Sequence, residues 1–407
     1  MTATATFEYQ VRDRTGKLIK GKIDAESSAI VANKLQSMGF APVSINETGT
    51  GLKRDINIPG MGDKMKLKDL AVMCRQFATM INSGLTLLRA LSILEQQTES
   101  KVLAKTLTEV RGDVESGSSL SSALAKHPRI FPPLMTNMTR AGEIGGFLDE
   151  TLLQIAANFE SEVKLRQKVK SAMTYPVVVG IMAVLALTAM LLFIVPVFEG
   201  LFSQLGGELP MPTQFLVTLS GVLKMTFPFL IVGGIATIVL WRKYKDHPKV
   251  RDVMDPMKLR MPVFGGLFQK IALSRFARNL ASMTSAGVPI LQALDIVAET
   301  SGNVVVARAV HDVEDSVRQG EPLARPLLNH PVFPPMVVQM MAVGEDTGSL
   351  DTMLYKISEF YDQEVEATTE ALTSLIEPLM IAVVGALIGG MLIALYLPMF
   401  KIFELIQ

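Results

Sequence analysis

The stretch KLRQKVKSAMTYPVVVGIMAVLALTAMLLFIVPVF, Lys164 to Phe198, decides how the rest of the chain is read. Lys164, Arg166, Lys168 and Lys170 stand together at its start, and from Ser171 to Phe198 there is no charged residue. An α-helix rises about 1.5 Å per residue and a bilayer core is about 30 Å thick, so roughly 20 apolar residues cross it. This run is long enough. A helix buried in a soluble core would show polar residues every three or four positions, whereas this run is interrupted by Thr174 and Thr188. Four cations at one end and none at the other place the Lys164 end in the cytoplasm.

Two more apolar blocks follow. Leu216 to Trp241 is a second span, closed at once by Arg242, Lys243 and Lys245, which puts its far end in the cytoplasm. Lys224 near its start is expected to snorkel outward. Between the spans, EGLFSQLGGELPMPT (Glu199 to Thr213) has two acids and no Lys or Arg, as an outside loop should. The third span, Pro378 to Phe400, leaves KIFELIQ behind it. Its upstream flank is acidic, so the alternation of spans rather than charge orients it.

The expected fold is a mainly α membrane protein with a small N-terminal α/β unit, two cytoplasmic helical bundles and three transmembrane helices. Its parts are an α/β domain over 1–47, a linker over 48–64, a bundle over 65–170, and a span over 171–198. An outside loop over 199–215, a span over 216–241, a second bundle over 242–377, a span over 378–400 and an outside tail over 401–407 complete it. The N-terminus is expected inside and the C-terminus outside. In the first part, FEYQV, the turn Asp13 to Gly16 and KLIKGKIDA read as a hairpin, Glu26 to Met38 as a helix and APVSI as a third strand. The start MTATATFEYQV has no basic region followed by an apolar one, so no cleavable signal peptide is expected.

The composition agrees with a membrane protein. Mean hydropathy is +0.34 and apolar residues make up 49% of 407. Thirty-nine basic residues balance 39 acidic ones, so global charge gives no reason to expect direct binding of nucleic acid. Cys74 is the sole cysteine, which excludes an intramolecular disulfide and argues against a cysteine-built zinc site.

Sliding the chain on itself by about 203 residues aligns its halves. Gly84 falls on Gly287, Gly117 on Gly320 and His127-Pro128 on His330-Pro331. After a one-residue deletion, Gly142-Glu143-x-x-Gly146-x-Leu148-Asp149 falls on Gly344-Glu345-x-x-Gly348-x-Leu350-Asp351. Pro176 meets Pro378, and Pro196-x-Phe198 meets Pro398-x-Phe400. Each copy is a bundle followed by one outward span. Two copies in one orientation need an extra span to return the chain, and the second span, absent from the repeat, is that return.

No phosphate loop, G-x-S-x-G elbow or intramembrane aspartate pair is present, and the four histidines lack ligand spacing. His127 and His330 are expected at helix ends. Catalysis, metals and cofactors are therefore not expected. The duplicated acidic motif reads first as a turn and helix start, with Asp149 and Asp351 favouring the helix dipole. A second reading puts Glu143, Asp149, Glu345 and Asp351 on a partner or cation-binding surface. Gly385-x-x-x-Gly389 in the third span would admit a close helix, either from another molecule or from the protein's own spans.

The run Lys168-Val169-x-x-Ala172-Met173-x-Tyr175-Pro176, continuing to Ile194-Val195-Pro196, resembles the signature of the type II secretion F / type IV pilus inner-membrane platform proteins. The duplicated bundle and span, the acidic motifs and the loop Glu208-Leu209-Pro210-x-Pro212-Thr213 resemble that family too. One departure is Glu377-Pro378 where the first copy has Tyr175-Pro176. The resemblance implies a non-enzymatic platform in the bacterial cytoplasmic membrane. Its implied partners are a hexameric assembly ATPase, pilin-like subunits and other inner-membrane assembly proteins. A dimer or small homo-oligomer is expected. The competing reading is a membrane scaffold or receptor that binds a cytoplasmic partner without assembling a filament; a solute carrier lacks a polar path through its spans.

Overall fold

The computed structural model describes residues 5–12, 18–25, 28–37, 41–48, 65–204, 210–245 and 247–405. The chain divides into two units, Met1–Lys64 and Met65–Gln407. In the first, β1 (Ala5–Arg12), β2 (Leu18–Ala25), α1 (Ser28–Ser37) and β3 (Ala41–Thr48) form an antiparallel sheet of order β2-β1-β3 with one helix. The strands β1 and β2 pair Ala5 with Ala25 through Arg12 with Leu18, and the β1–β3 ladder shifts register between Gln10 and Val11. Val31 and Leu35, one helical turn apart, are buried. The expected turn at Asp13 to Gly16 and nearly all of the expected linker lie outside the described residues.

In the second unit the first repeat comprises α2 (Leu67–Asn82), α3 (Leu87–Gln97), α4 (Lys101–Glu115), α5 (Leu120–Ala125), α6 (Pro133–Gly145) and α7 (Leu148–Ala189). A π-helical stretch, Met190–Ile194, joins α7 to α8 (Val195–Gln204). The returning helix is α9 (Met211–Tyr244), and α10 (Pro248–Arg260) leads into the second repeat. That repeat is α11 (Gly265–Ser285), α12 (Ile290–Thr300), α13 (Val304–Arg318), α14 (Ala324–Leu327), α15 (Pro335–Asp346) and α16 (Leu350–Leu405). Helices α3 and α12, and α4 and α13, begin and end on residues equivalent under the shift of 203. The paired glycines explain why. Gly84 and Gly287, Gly117 and Gly320, and Gly146 and Gly348 all have φ between +67° and +97°, a conformation costly for any residue with a Cβ.

Three helices are long and apolar enough to cross a membrane: the α7 run, α9 and α16. The chain is a multi-pass membrane protein. Expected loop 199–215 is mostly helix: α8 continues to Gln204 and α9 starts at Met211, leaving a short connection around Pro210. The sequence Glu199 to Gln204 contains no proline to stop α8, while Pro210 and Pro212 suit the first turn of α9. The third helix likewise runs past Phe400 to Leu405.

The two expected bundles share one core. A single cluster of buried side chains runs from Leu70 and Phe77 in α2 to Phe276, Phe333 and Tyr361 in the second repeat. Its closest helix pairs are equivalent ones, α2 with α7 and α11 with α16, while α6 and α7 also pack on α11 and α12. The span ends far from that core hold a separate small cluster of Leu191, Val195, Leu216, Met391, Ala394 and Leu395.

Candidate functional site

The duplicated acidic motif is a helix-to-helix corner, built twice. Gly142 is buried where α6 meets α7: a Cβ there would stand 2.6 Å from Thr151 Oγ1 and 2.9 Å from its Cβ. Gly344 sits equally close to α16, with Leu350 Cα and Met353 Cβ each 3.0 Å from the added carbon. Gly146 and Gly348 then end α6 and α15 with positive φ. Asp149 and Asp351 lie in the first turns of α7 and α16, where exposed N–H groups favour a carboxylate. Asp351 also accepts from Ser285 Oγ at 3.3 Å.

The glutamates have a role that their spacing did not reveal. The Glu143 carboxylate accepts N–H bonds from Leu120 (2.5 Å) and Ser121 (3.0 Å), at the start of α5. Glu345 accepts from Leu323 (2.7 Å) and Ala324 (3.2 Å), at the start of α14. Each carboxylate thus satisfies two amides that a helix leaves unpaired at its N-terminus. A signal did exist in the sequence: both glutamates follow their capped helix by the same distance, allowing for the deletion. Without coordinates, nothing connects residues 22 apart in this way.

Between the repeats lies a polar seam above the membrane. Asn158 of α7 is buried and donates to Asn279 Oδ1 (3.2 Å) and Ser282 Oγ (3.1 Å) of α11. One helical turn on, Glu162 takes Arg275 of α11 at 2.7 Å and Arg166 of its own helix at 2.6 Å. Lys168 pairs with Glu366 of α16. At Pro176 the α-ladder loses one donor, leaving the Ala172 carbonyl four residues back without its N–H. The Thr373 hydroxyl of α16 lies 3.5 Å from that oxygen but donates more closely to the Thr369 carbonyl of its own helix, at 2.9 Å. The second repeat thus approaches the first at this proline without replacing the lost donor. Tyr175 beside it is 54% exposed.

At Pro196 the lost donor is replaced. In π register the Leu191 carbonyl would be bonded by residue 196, which as proline has no N–H. Ser220 of α9 supplies the missing donor at 2.6 Å, and Thr213 bonds the Ala394 carbonyl of α16. These two buried hydroxyls clamp α9 to the ends of both repeat spans far from the shared core. Gly385 and Gly389 join no such contact. No neighbour lies within 4 Å of a Cβ built on either, so packing among the protein's own described spans does not use them.

The histidines mirror one another. His127 Nε2 lies 3.6 Å from Glu109, and His330 Nε2 lies 3.2 Å from Asp312 at the equivalent position. Asp295, His311 and Glu314 bring three possible ligand atoms within 4.8 Å, a grouping that the linear spacing did not show. Glu314 is already held by Arg318 at 2.5 Å, and Asp295 and His311 are exposed. Cys74 is buried with its Sγ 3.9 Å from Met135 Sδ, and burial foremost, with Glu160 nearby, pushes its thiol pKa far up. Such a thiol is inert at neutral pH. The Arg75 guanidinium bonds Glu160 at 2.7 and 2.5 Å and holds its carboxyl below the usual range.

The comparisons with known proteins identify the family. The family model for type II secretion system (T2SS), protein F, matches the chain twice, over 73–196 and 276–398. The model for the type II secretion system protein F, N-terminal domain, matches 4–46. The chain is 45% identical over 398 residues to the type IV pilus assembly protein PilC of Thermus thermophilus, covering 97% of this chain and 98% of that protein. It is 43% identical over 408 residues to the protein of the same name from Myxococcus xanthus, covering 100% and 97%. The type II secretion system protein F of Vibrio cholerae is 32% identical over 413 residues, covering 99% of this chain and all of that protein. With two family matches on the two structural repeats and full-length relatives beside them, the chain belongs to the type II secretion system protein F family.

Proposed function

We propose that this chain is an inner-membrane platform protein of a type IV pilus or type II secretion machine. It couples a cytoplasmic assembly ATPase to the insertion of pilin-like subunits into a filament. The observation behind this reading is the continuity of α7 and α16, which leave the shared core and enter the membrane without a break. At about 1.5 Å per residue, the 42 residues of α7 extend on the order of 60 Å. A push or rotation applied to the core reaches the spans through these helices.

In this reading the N-terminus and both bundles are cytoplasmic and the C-terminus is outside, following the cations Lys164 to Lys170 and Arg242 to Lys245. A hexameric ATPase meets the bundles. Pilin-like subunits, other inner-membrane assembly proteins and further copies of the chain meet the spans. The chain itself is not asked to catalyse a reaction.

The test is an insertion of two glycines after Lys164. It turns the span by about 200° relative to the core and weakens the helix locally. Filament assembly should be lost while the protein still inserts and still co-purifies with the ATPase. Normal assembly would refute helix-borne coupling. Co-purification from detergent-solubilised membranes tests the wider reading: a filament ATPase and a pilin-like subunit are expected, and a cytoplasmic partner without either would favour the scaffold.

A further inference from the structure

The four cations at the start of the first span are not equivalent once folded. Lys168 is paired with Glu366, and Arg166 shares Glu162 with Arg275. Lys170 is exposed and has no ion-pair partner among the described residues. Beside it opens a cavity of about 310 Å³ between α7 and α11. Its lining is apolar at Leu165, Val169, Met173 and Ile271 and cationic at Arg166, Lys170 and Arg275. Glu162 is bonded to both arginines, and the lining itself holds no acid, so these three cations and Glu162 sum to two positive charges.

Position gives the pocket its meaning. The uncharged run begins at Ser171, one residue beyond Lys170, and Met173 of the lining already belongs to it. Lys170 therefore lies at headgroup depth, and from it Val169 and Met173 lead toward the acyl region. A soluble anion would satisfy the cations and leave the apolar lining wet. A neutral lipid would cover the apolar lining and leave the two charges unanswered. We infer that this pocket binds an acidic phospholipid, with its phosphodiester on Lys170 and Arg275 and an acyl chain along Val169, Met173 and Ile271. The second repeat has no counterpart: Glu366, Thr368, Glu370 and Leu372 stand where the first has Lys164, Arg166, Lys168 and Lys170. The site is single in each chain and marks one face of an otherwise repeated structure. It lies outside the coupling role proposed above and rests only on the membrane placement of α7.

Full-length protein in phosphatidylcholine nanodiscs, doped with phosphatidylglycerol carrying a photoreactive acyl chain, tests this. After irradiation, peptide mapping should place the cross-link on α7 around Val169 to Met173 and on α11 at Ile271. Unlabelled phosphatidylglycerol should compete, and phosphatidylcholine should not. At about 1 kcal/mol per interfacial cation, Lys170→Gln should weaken capture about fivefold, and Lys170→Gln with Arg275→Gln about thirtyfold. Lys170 makes no side-chain hydrogen bond or ion pair among the described residues, so its single variant keeps the fold and decides the matter if the double variant unfolds. Undiminished labelling in Lys170→Gln, or equal competition by phosphatidylcholine, would overturn the proposal. Competition by inorganic phosphate would also overturn it, by revealing an anion site without a lipid.

Discussion

The two repeats hold the same frame with different electrostatics. Arg75 binds Glu160 and its counterpart Arg278 binds Asp362, yet the Arg75 side chain is 39% exposed and that of Arg278 only 8%. Arg111 sits between Glu95 and Glu115, and at the same place in the second copy Glu314 sits between His311 and Arg318. The Arg111–Glu115 pair is inverted as Glu314–Arg318, while the second partner differs, Ala298 standing where the first copy has Glu95. At the membrane entrance, basic residues in one copy face acidic residues in the other, and Lys168 with Glu366 ties them together. What both copies retain is backbone geometry: the positive-φ glycines, the close-contact Gly142 and Gly344, and the glutamate caps. What diverged is side-chain charge, which can change sign wherever its partner changes with it. Burial, by contrast, differs because α11 lies between its own repeat and α7, whereas α2 has its own repeat alone.

That contrast is sharpest at the two arginines. Arg278→Gln should destabilise the protein by about 2 kcal/mol, because it leaves Asp362, which is one-third exposed, without its buried partner. Thermal or chemical unfolding of the detergent-purified chain measures it. Next come the caps, where the repeats should behave alike. Glu143→Ala and Glu345→Ala each strand two half-buried amides and should cost about 2 kcal/mol in the same assay. A large difference between them would show that the shared corner is not equally important in the two copies. Gly142→Ala should cost about 2 kcal/mol and Gly344→Ala about 1. The first places a methyl group 2.6 Å from Thr151 Oγ1, which is committed to the Phe147 carbonyl, whereas the nearest atoms at Gly344 stand 3.0 Å away.

The smallest effect expected is at Arg75. Both members of its pair are well exposed, so Arg75→Gln should cost less than about 1 kcal/mol near neutral pH. Its pH dependence has a definite sign. Arg75 lowers the folded-state pKa of Glu160, so the pair stabilises above the unfolded carboxyl pKa of about 4.3 and loses that effect as pH falls through the folded value. Stability curves of wild type and variant against pH should converge below about pH 4. Curves that stay parallel would mean that Arg75 acts by packing rather than charge.

Much of this was legible in the residues. Spans appear as uncharged runs whose length is set by bilayer thickness, and the cations at their ends carry the orientation proposed above. The duplication is visible because positive φ and close helix contact tolerate little besides glycine, so Gly84, Gly117, Gly142 and Gly146 recur in register. The helical corner at Gly146 and Gly348, with an acid in the next turn, followed from local rules for helix ends. All of these are short-range constraints, written within a few residues of where they act.

Tertiary structure decided the rest. Two bundles read as separate packages share one core, since periodicity tells which face of a helix is apolar and not which helix covers it. Glu143 and Glu345 are caps for helices some 22 residues earlier, and Ser220 of another helix repairs the backbone gap left by Pro196. The basic pocket at Lys170 exists because Arg275 arrives from the other repeat. Such pairings join segments more than 20 residues apart in the chain, and nothing local in the sequence specifies the encounter.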